Sequence, residues 1–199
     1  MKSQKNNLIL ILFIIIPFVS QCQPEIPNKE IQIASAVFPL PEKDRDGATV
    51  MGYNSENKLV VIRQGSNNFI CIADNPEQDG LNIACYPKEL DPFMARGREL
   101  RANGKNMQEI MKIRGQEVKD GKLKMPDKAT LHILSGADAY YDQEKGEVVN
   151  GSIRYVIYIP YATSESTGLP LSPAVPGGPW IMDAGTHRAH IMITPPPSN

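Results

Sequence analysis

The chain has little of what usually betrays a function. Its 199 residues include three cysteines, three histidines and one tryptophan, and aromatics make up 7%. Three cysteines are too few for a disulfide-dense scaffold, and no C-x-x-C spacing marks a redox pair or a zinc site. Excess charge is missing as well: 21 basic residues face 22 acidic ones, a net charge of −1. Phosphate backbones are bound by surplus positive charge, so no nucleic-acid partner is expected. The densest basic stretch, Arg96, Arg98, Arg101 and Lys105, is interrupted by Glu99 and reads as a solvated helix face. Internal repeats, heptads and an apolar run of the roughly twenty residues that span a bilayer are also absent.

What is present begins at the amino terminus. Lys2 and Lys5 precede Leu8 to Val19, a run of apolar residues broken only by Pro17, and the run ends in Ser20, Gln21 and Cys22. At about twelve residues it has the length of a secretory signal core and is short for a membrane-spanning helix. Val19-Ser20-Gln21-Cys22 resembles the bacterial lipobox, although Gln21 stands where that pattern commonly has Gly, Ala or Ser. The resemblance implies that residues 1–21 are a signal peptide and that Cys22 becomes the first mature residue and carries acyl chains. The protein would then sit in the cell envelope as a lipoprotein, at the outer membrane or facing the periplasm, with membrane lipid as its partner. The other reading is a secreted protein cut near Cys22.

Residues 22–30, with two prolines, alternating charges and one apolar side chain after Cys22, read as a tether. The remaining body, residues 31–199, is the size of one domain and hardly of two.

Export leaves Cys71 and Cys85 in an oxidising compartment, which favours their pairing. Phe69–Ala73 and Leu81–Tyr86 are strand-like, and Asp74 to Gly80 between them is rich in turn formers. A hairpin that pairs Ala73 with Ile83 sets Cys71 opposite Cys85, because paired positions on antiparallel strands have a constant sum. In a non-hydrogen-bonded pair such cysteines meet disulfide geometry.

Along the body, Glu30 to Phe38 is compatible with helix or strand. Strands are expected at Ala48–Tyr53, Lys58–Arg63 and the two cysteine segments, as an antiparallel meander. Asp91 with Pro92 opens a helix that Asn103-Gly104 closes, and Asn106 with Glu109 opens a second in the manner of a capping box. Strands resume at Ala129–Leu134, Ile153–Ile159, Trp180–Met182 and His190–Thr194, with a further hairpin around Glu144-Lys145-Gly146. The fold class is α+β: an antiparallel sheet, a meander plus C-terminal strands, with two helices packed on one face.

Candidate site residues concentrate in 160–190: Tyr161, Ser164, Glu165, Trp180, Asp183, His187 and His190. Seven prolines and glycines between Gly168 and Pro179 force a long loop, which carries a function or simply wraps the surface. His187 and His190 with Glu165 or Asp183 offer metal-ligand types, but Gly185-Thr186 and the following Ile-Met-Ile argue against the helix that would aim two histidines together. Ser164 lacks the G-x-S-x-G elbow of a hydrolase. Tyr161, Trp180 and nearby hydroxyls suit a small molecule, sugar or peptide, which rings stack on and hydroxyls orient. No cofactor or metal is expected.

Pro92–Leu100 and Ile159–Leu169 make the body resemble uncharacterised exported bacterial proteins. That resemblance implies no particular activity. The leading expectation is an envelope-anchored binding or structural module, and the rival is an envelope hydrolase or metal-dependent enzyme using residues 160–190.

Overall fold

The computed structural model describes residues 25–196, so the signal, lipobox and Cys22 readings lie outside the described residues. The ambiguous first segment is a helix, α1 (Lys29–Ala36), capped by the Asn28 side chain, which accepts from the Ile31 N–H at 2.9 Å. It starts inside the stretch read as a tether. Gln32 is buried on this helix and fully engaged. Its amide donates to the carbonyls of Pro27 (2.8 Å) and Tyr53 (2.9 Å), and its oxygen accepts from the Tyr53 N–H (2.7 Å). A buried side-chain amide satisfied in this way stitches the start of the body to the sheet.

A short helix, α2 (Glu42–Arg45), leads into strands β1 (Thr49–Tyr53) and β2 (Leu59–Arg63), an antiparallel hairpin. The next strand, β3 (Phe69–Ile72), corrects the meander: it lies beside β1 and parallel to it, with Val50 opposite Cys71. The cause is a close approach at Gly65. A Cβ there would come within 2.3 Å of the Gly47–Thr49 backbone, and the Ser66 and Asn67 N–H groups donate to the Gly47 carbonyl at 2.8 and 2.9 Å. The link is thereby carried across the start of β1 to its free edge.

Strand β4 (Leu81–Pro87) returns antiparallel to β3 with Cys71 opposite Cys85, and the two form a disulfide with Cα atoms 4.0 Å apart. This is the close spacing of a non-hydrogen-bonded pair. Helices α3 (Asp91–Ala102) and α4 (Met107–Lys119) follow. Asn106 and Glu109 make the capping box at α4. Asp91 does not cap α3. Its carboxylate accepts from the buried Tyr86 hydroxyl and from Arg98, both at 2.9 Å. Burial pushes the Tyr86 hydroxyl well above its usual range. The basic stretch is not a plain solvated face, for Arg96 grips Glu117 of α4 through Nε and Nη2 (2.6–3.0 Å), joining the two helices.

The chain continues through β5 (Ala129–Gly136), β6 (Tyr140–Asp142), β7 (Glu147–Val149), β8 (Ser152–Tyr158), helix α5 (Ser164–Thr167), β9 (Trp180–Met182) and β10 (His190–Ile193). Strands β6 and β7 pair as a separate hairpin, and the other eight form one sheet in the order β2-β1-β3-β4-β5-β8-β10-β9. Every neighbouring pair in it except β1–β3 is antiparallel. Strand alternation sends Leu81, Ile83 and Cys85 to one face with Ala36, Val37 and Leu40. Ala84 and Tyr86 go to the other with Phe93, Met94, Val118, Leu131 and Val156. Helical residues therefore join the cores of both faces, a fuller cover than two helices on one face.

The bridge closes a short loop, with its cysteines 14 positions apart, in the middle of this sheet. Replacing both with Ala is expected to lower the unfolding free energy by about 3 kcal/mol in a denaturant titration, the loop-closure value for about 15 residues. A loss under about 1 kcal/mol would show that packing alone holds the register.

Candidate functional site

The C-terminal quarter gathers most of the expected residues because two loops are zipped together beyond the end of the β8–β10 pair. Ile159 N–H donates to the Ala189 carbonyl (2.9 Å), Tyr161 N–H to Thr186 (2.8 Å) and Gly185 N–H to Ala162 (2.7 Å). Two non-glycine residues in this zip, Tyr161 (φ 65°) and Asp183 (φ 54°), adopt left-handed backbone. Asp tolerates that region, but an aromatic residue there is held by its surroundings at a cost of order 1 kcal/mol or more. The result is a tyrosine side chain left 57% exposed. It flanks an open groove of about 600 Å³ walled by Val118, Leu123, Met125, Pro126 and Pro160, with Lys124 and Asp127 among its lining.

Behind this zip lies a second feature, between α4 and the Asp183–His190 loop. Arg114 of α4 is only 8% exposed. Its Nη1 donates to the Phe93 carbonyl at 3.1 Å and its guanidinium lies 4.0 Å over the Phe93 ring, while Nε has no partner. Burial pushes its pKa down to about 10. His187 meets the same Phe93 ring edge-on at 5.8 Å and packs on α4 where Gly115 leaves room; a Cβ at Gly115 would stand 2.9 Å from the imidazole. Gly97 of α3 yields in the same way to Arg114. Glycine in a helix interior costs about 1 kcal/mol against Ala, so both positions are spent on admitting polar side chains.

Asp183 pairs with Arg188 at 3.3 Å. His190, 4% exposed, places Nδ1 2.6 Å from the Arg188 carbonyl and its ring 5.4 Å from Tyr158. Burial lowers the proton affinity of His187 and His190 and raises the Tyr158 pKa. The structure thus brings Asp183, His187 and His190 together around Phe93 and Tyr158. Ser164 and Glu165 belong elsewhere, on α5. Ser164 Oγ donates to the Leu169 carbonyl at 2.6 Å, and Glu165 is an exposed residue of the α5 first turn, its carboxyl held low by its own backbone N–H. Trp180 packs against the core on the α3–α4 side. Among the described residues no group of three His, Cys, Asp or Glu is placed to hold a metal ion, and no helix is long and apolar enough to cross a membrane.

No protein-family model, curated protein or solved structure matches this chain. Chemistry must therefore be argued from the side chains themselves. Sequence reasoning passed over Arg114 and Phe93. Arg114 did leave a signal: it sits one turn from Ile110 and one from Val118, a charge in the middle of an apolar stripe.

Three histidines, His132, His187 and His190, all have proton affinity lowered by burial from the ordinary 6.5. Below that pH the unfolded chain takes up protons that the folded chain refuses, so stability held above about pH 6.5 is lost on acidification. The unfolding midpoint is expected to fall between pH 7 and 5, with His190 contributing at most about 1.4 kcal/mol per pH unit. His190→Gln should flatten the profile, and an unchanged slope would assign the loss to other groups.

Proposed function

We propose that the chain is an exported envelope lipoprotein whose body is a binding module, with a small molecule, sugar or peptide taken up at the groove beside Tyr161. Tyr161 carries the reading. Its ring is presented to solvent by a strained backbone that two zipped loops hold fixed, and a rigid aromatic face beside apolar walls binds at low entropic cost. The buried Cys71–Cys85 bridge supports the export half, since such bonds persist in oxidising compartments. The lipobox-like Val19–Cys22 supports attachment to lipid, which two or more acyl chains make firm. The hydrolase alternative draws no support from Ser164, whose hydroxyl is spent on Leu169. The metal-enzyme alternative draws none from the separated Glu165.

Mass spectrometry of the membrane fraction is expected to find acyl mass on Cys22 and a two-hydrogen deficit across Cys71 and Cys85. An intact leader with free thiols would sink the export half. For the groove, saturation-transfer NMR against a panel of oligosaccharides and short peptides is expected to give signals that Tyr161→Ala abolishes. The unfolding free energy of that variant should stay within about 0.5 kcal/mol, because Ala keeps the same left-handed backbone and only an exposed ring is lost. Signals that survive the substitution would place binding elsewhere.

A further inference from the structure

The loop between α5 and β9 is unlike the rest of the surface. From Ser166 to Met182 there is no Asp, Glu, Lys or Arg, although such residues make up 22% of the chain. Pro170 to Pro176, the run Pro-Leu-Ser-Pro-Ala-Val-Pro, is exposed at every position. Leu171 and Val175 are 63% and 62% exposed, the most exposed large apolar side chains among the described residues. An uncharged, exposed apolar run on a folded surface marks a contact with something apolar.

Its backbone suits lipid better than a protein partner. Prolines at 170, 173, 176 and 179 carry no N–H and have φ fixed, so few donors would be stranded where no water can reach them and little freedom is left to lose. The Gly178 N–H is already given to the Val175 carbonyl at 2.9 Å. Both ends of the loop are seated on the sheet. Ile181 N–H donates to the Pro170 carbonyl (3.0 Å), and Gly177, at φ 74°, lies so near the Thr194 carbonyl that a Cβ would stand 2.8 Å from it.

Topology puts this loop where an anchor would be. Strand registers bring the Tyr53 end of β1 into line with Leu81, Gly136, Ser152, Ile193 and Trp180, where β4, β8 and β9 begin and β5 and β10 end. Pro27, tied to Tyr53 through Gln32, is therefore at the same end of the strands as the loop, and Tyr161 is at the other. The leash rests on the lipoprotein reading of Cys22. On that reading the five residue steps from Cys22 to Pro27 reach at most about 17 Å. A body of this size has a radius of gyration of about 16 Å, so a leash that short holds part of it at the lipid surface.

We propose that Pro170–Pro176 is a membrane-docking loop, with Leu171 and Val175 dipping into the bilayer that holds Cys22 and the Tyr161 groove turned away from it. Attraction to anionic headgroups is not the cause, because the β3–β4 turn at the same end carries Asp74, Glu77 and Asp79.

A polarity-sensitive fluorophore on Val175→Cys reads the contact in phosphatidylcholine vesicles, the other thiols being bridged or, at Cys22, acylated. On the reconstituted mature protein the label is expected to shift to the blue and to be quenched by brominated lipid, while a label on Tyr161→Cys keeps its solution spectrum. In a Cys22→Ser background the anchor is gone and the loop must respond alone. There the Val175 label should still shift as lipid is titrated, and Leu171→Asp should weaken the partition at least about tenfold, the equivalent of one Leu withdrawn from lipid. If mass spectrometry finds Cys22 unacylated, the lipoprotein reading fails while the titration still decides for or against the loop. A Val175 label that stays water-like in either form, a shift that needs anionic lipid, or a Leu171→Asp variant without effect would overturn the proposal and leave the loop to a protein partner.

Discussion

The β3–β4 pairing is the seam on which the molecule depends. On one side lie β2, β1 and β3; on the other lie β4 and the four strands that follow it across the sheet, with the α3–α4 core beneath, while α1 packs across the seam on the opposite face. Cys71 and Cys85 join the two halves covalently at a position where both side chains are wholly buried. A slip of one residue here would turn Ile83 and Cys85 toward α3 and bring Ala84 and Tyr86 to the α1 side, emptying both cores together. The bridge forbids that slip.

Much of this was written in local residue patterns. Alternating apolar residues and the Asp74–Gly80 turn placed the bridged hairpin in its observed register, and Asn106 with Glu109 marked the start of α4. The β1–β3 neighbour relation was not legible. A strand's alternation says which face it buries and nothing about which edge it will join, and the deciding contact, Gly65 against the Gly47–Thr49 backbone, is made only once the chain has folded back. Asp91 shows the same limit: its position suits a cap, but Tyr86 and Arg98 compete for its carboxylate from elsewhere in the fold.

The candidate residues divide along similar lines. Their concentration in 160–190 was visible because prolines and glycines force a loop there. Their grouping was not, since it depends on backbone bonds between Ile159–Ala162 and Gly185–Ala189 that no periodicity announces. Arg114 shares the Phe93 ring with His187, more than seventy positions away in the chain. Two mid-helix glycines and one charge in an apolar stripe are the only local traces of that arrangement.

Gln32 has a mechanical consequence. With hydrogen bonds to Pro27 on one side and to both backbone groups of Tyr53 on the other, it makes the segment around Pro27 an extension of β1 instead of a loose end. Tension applied at the amino terminus would reach the sheet through this clamp before α1 could peel away. The load would enter along β1, between two hydrogen-bonded neighbours, where a strand resists shear through many bonds at once.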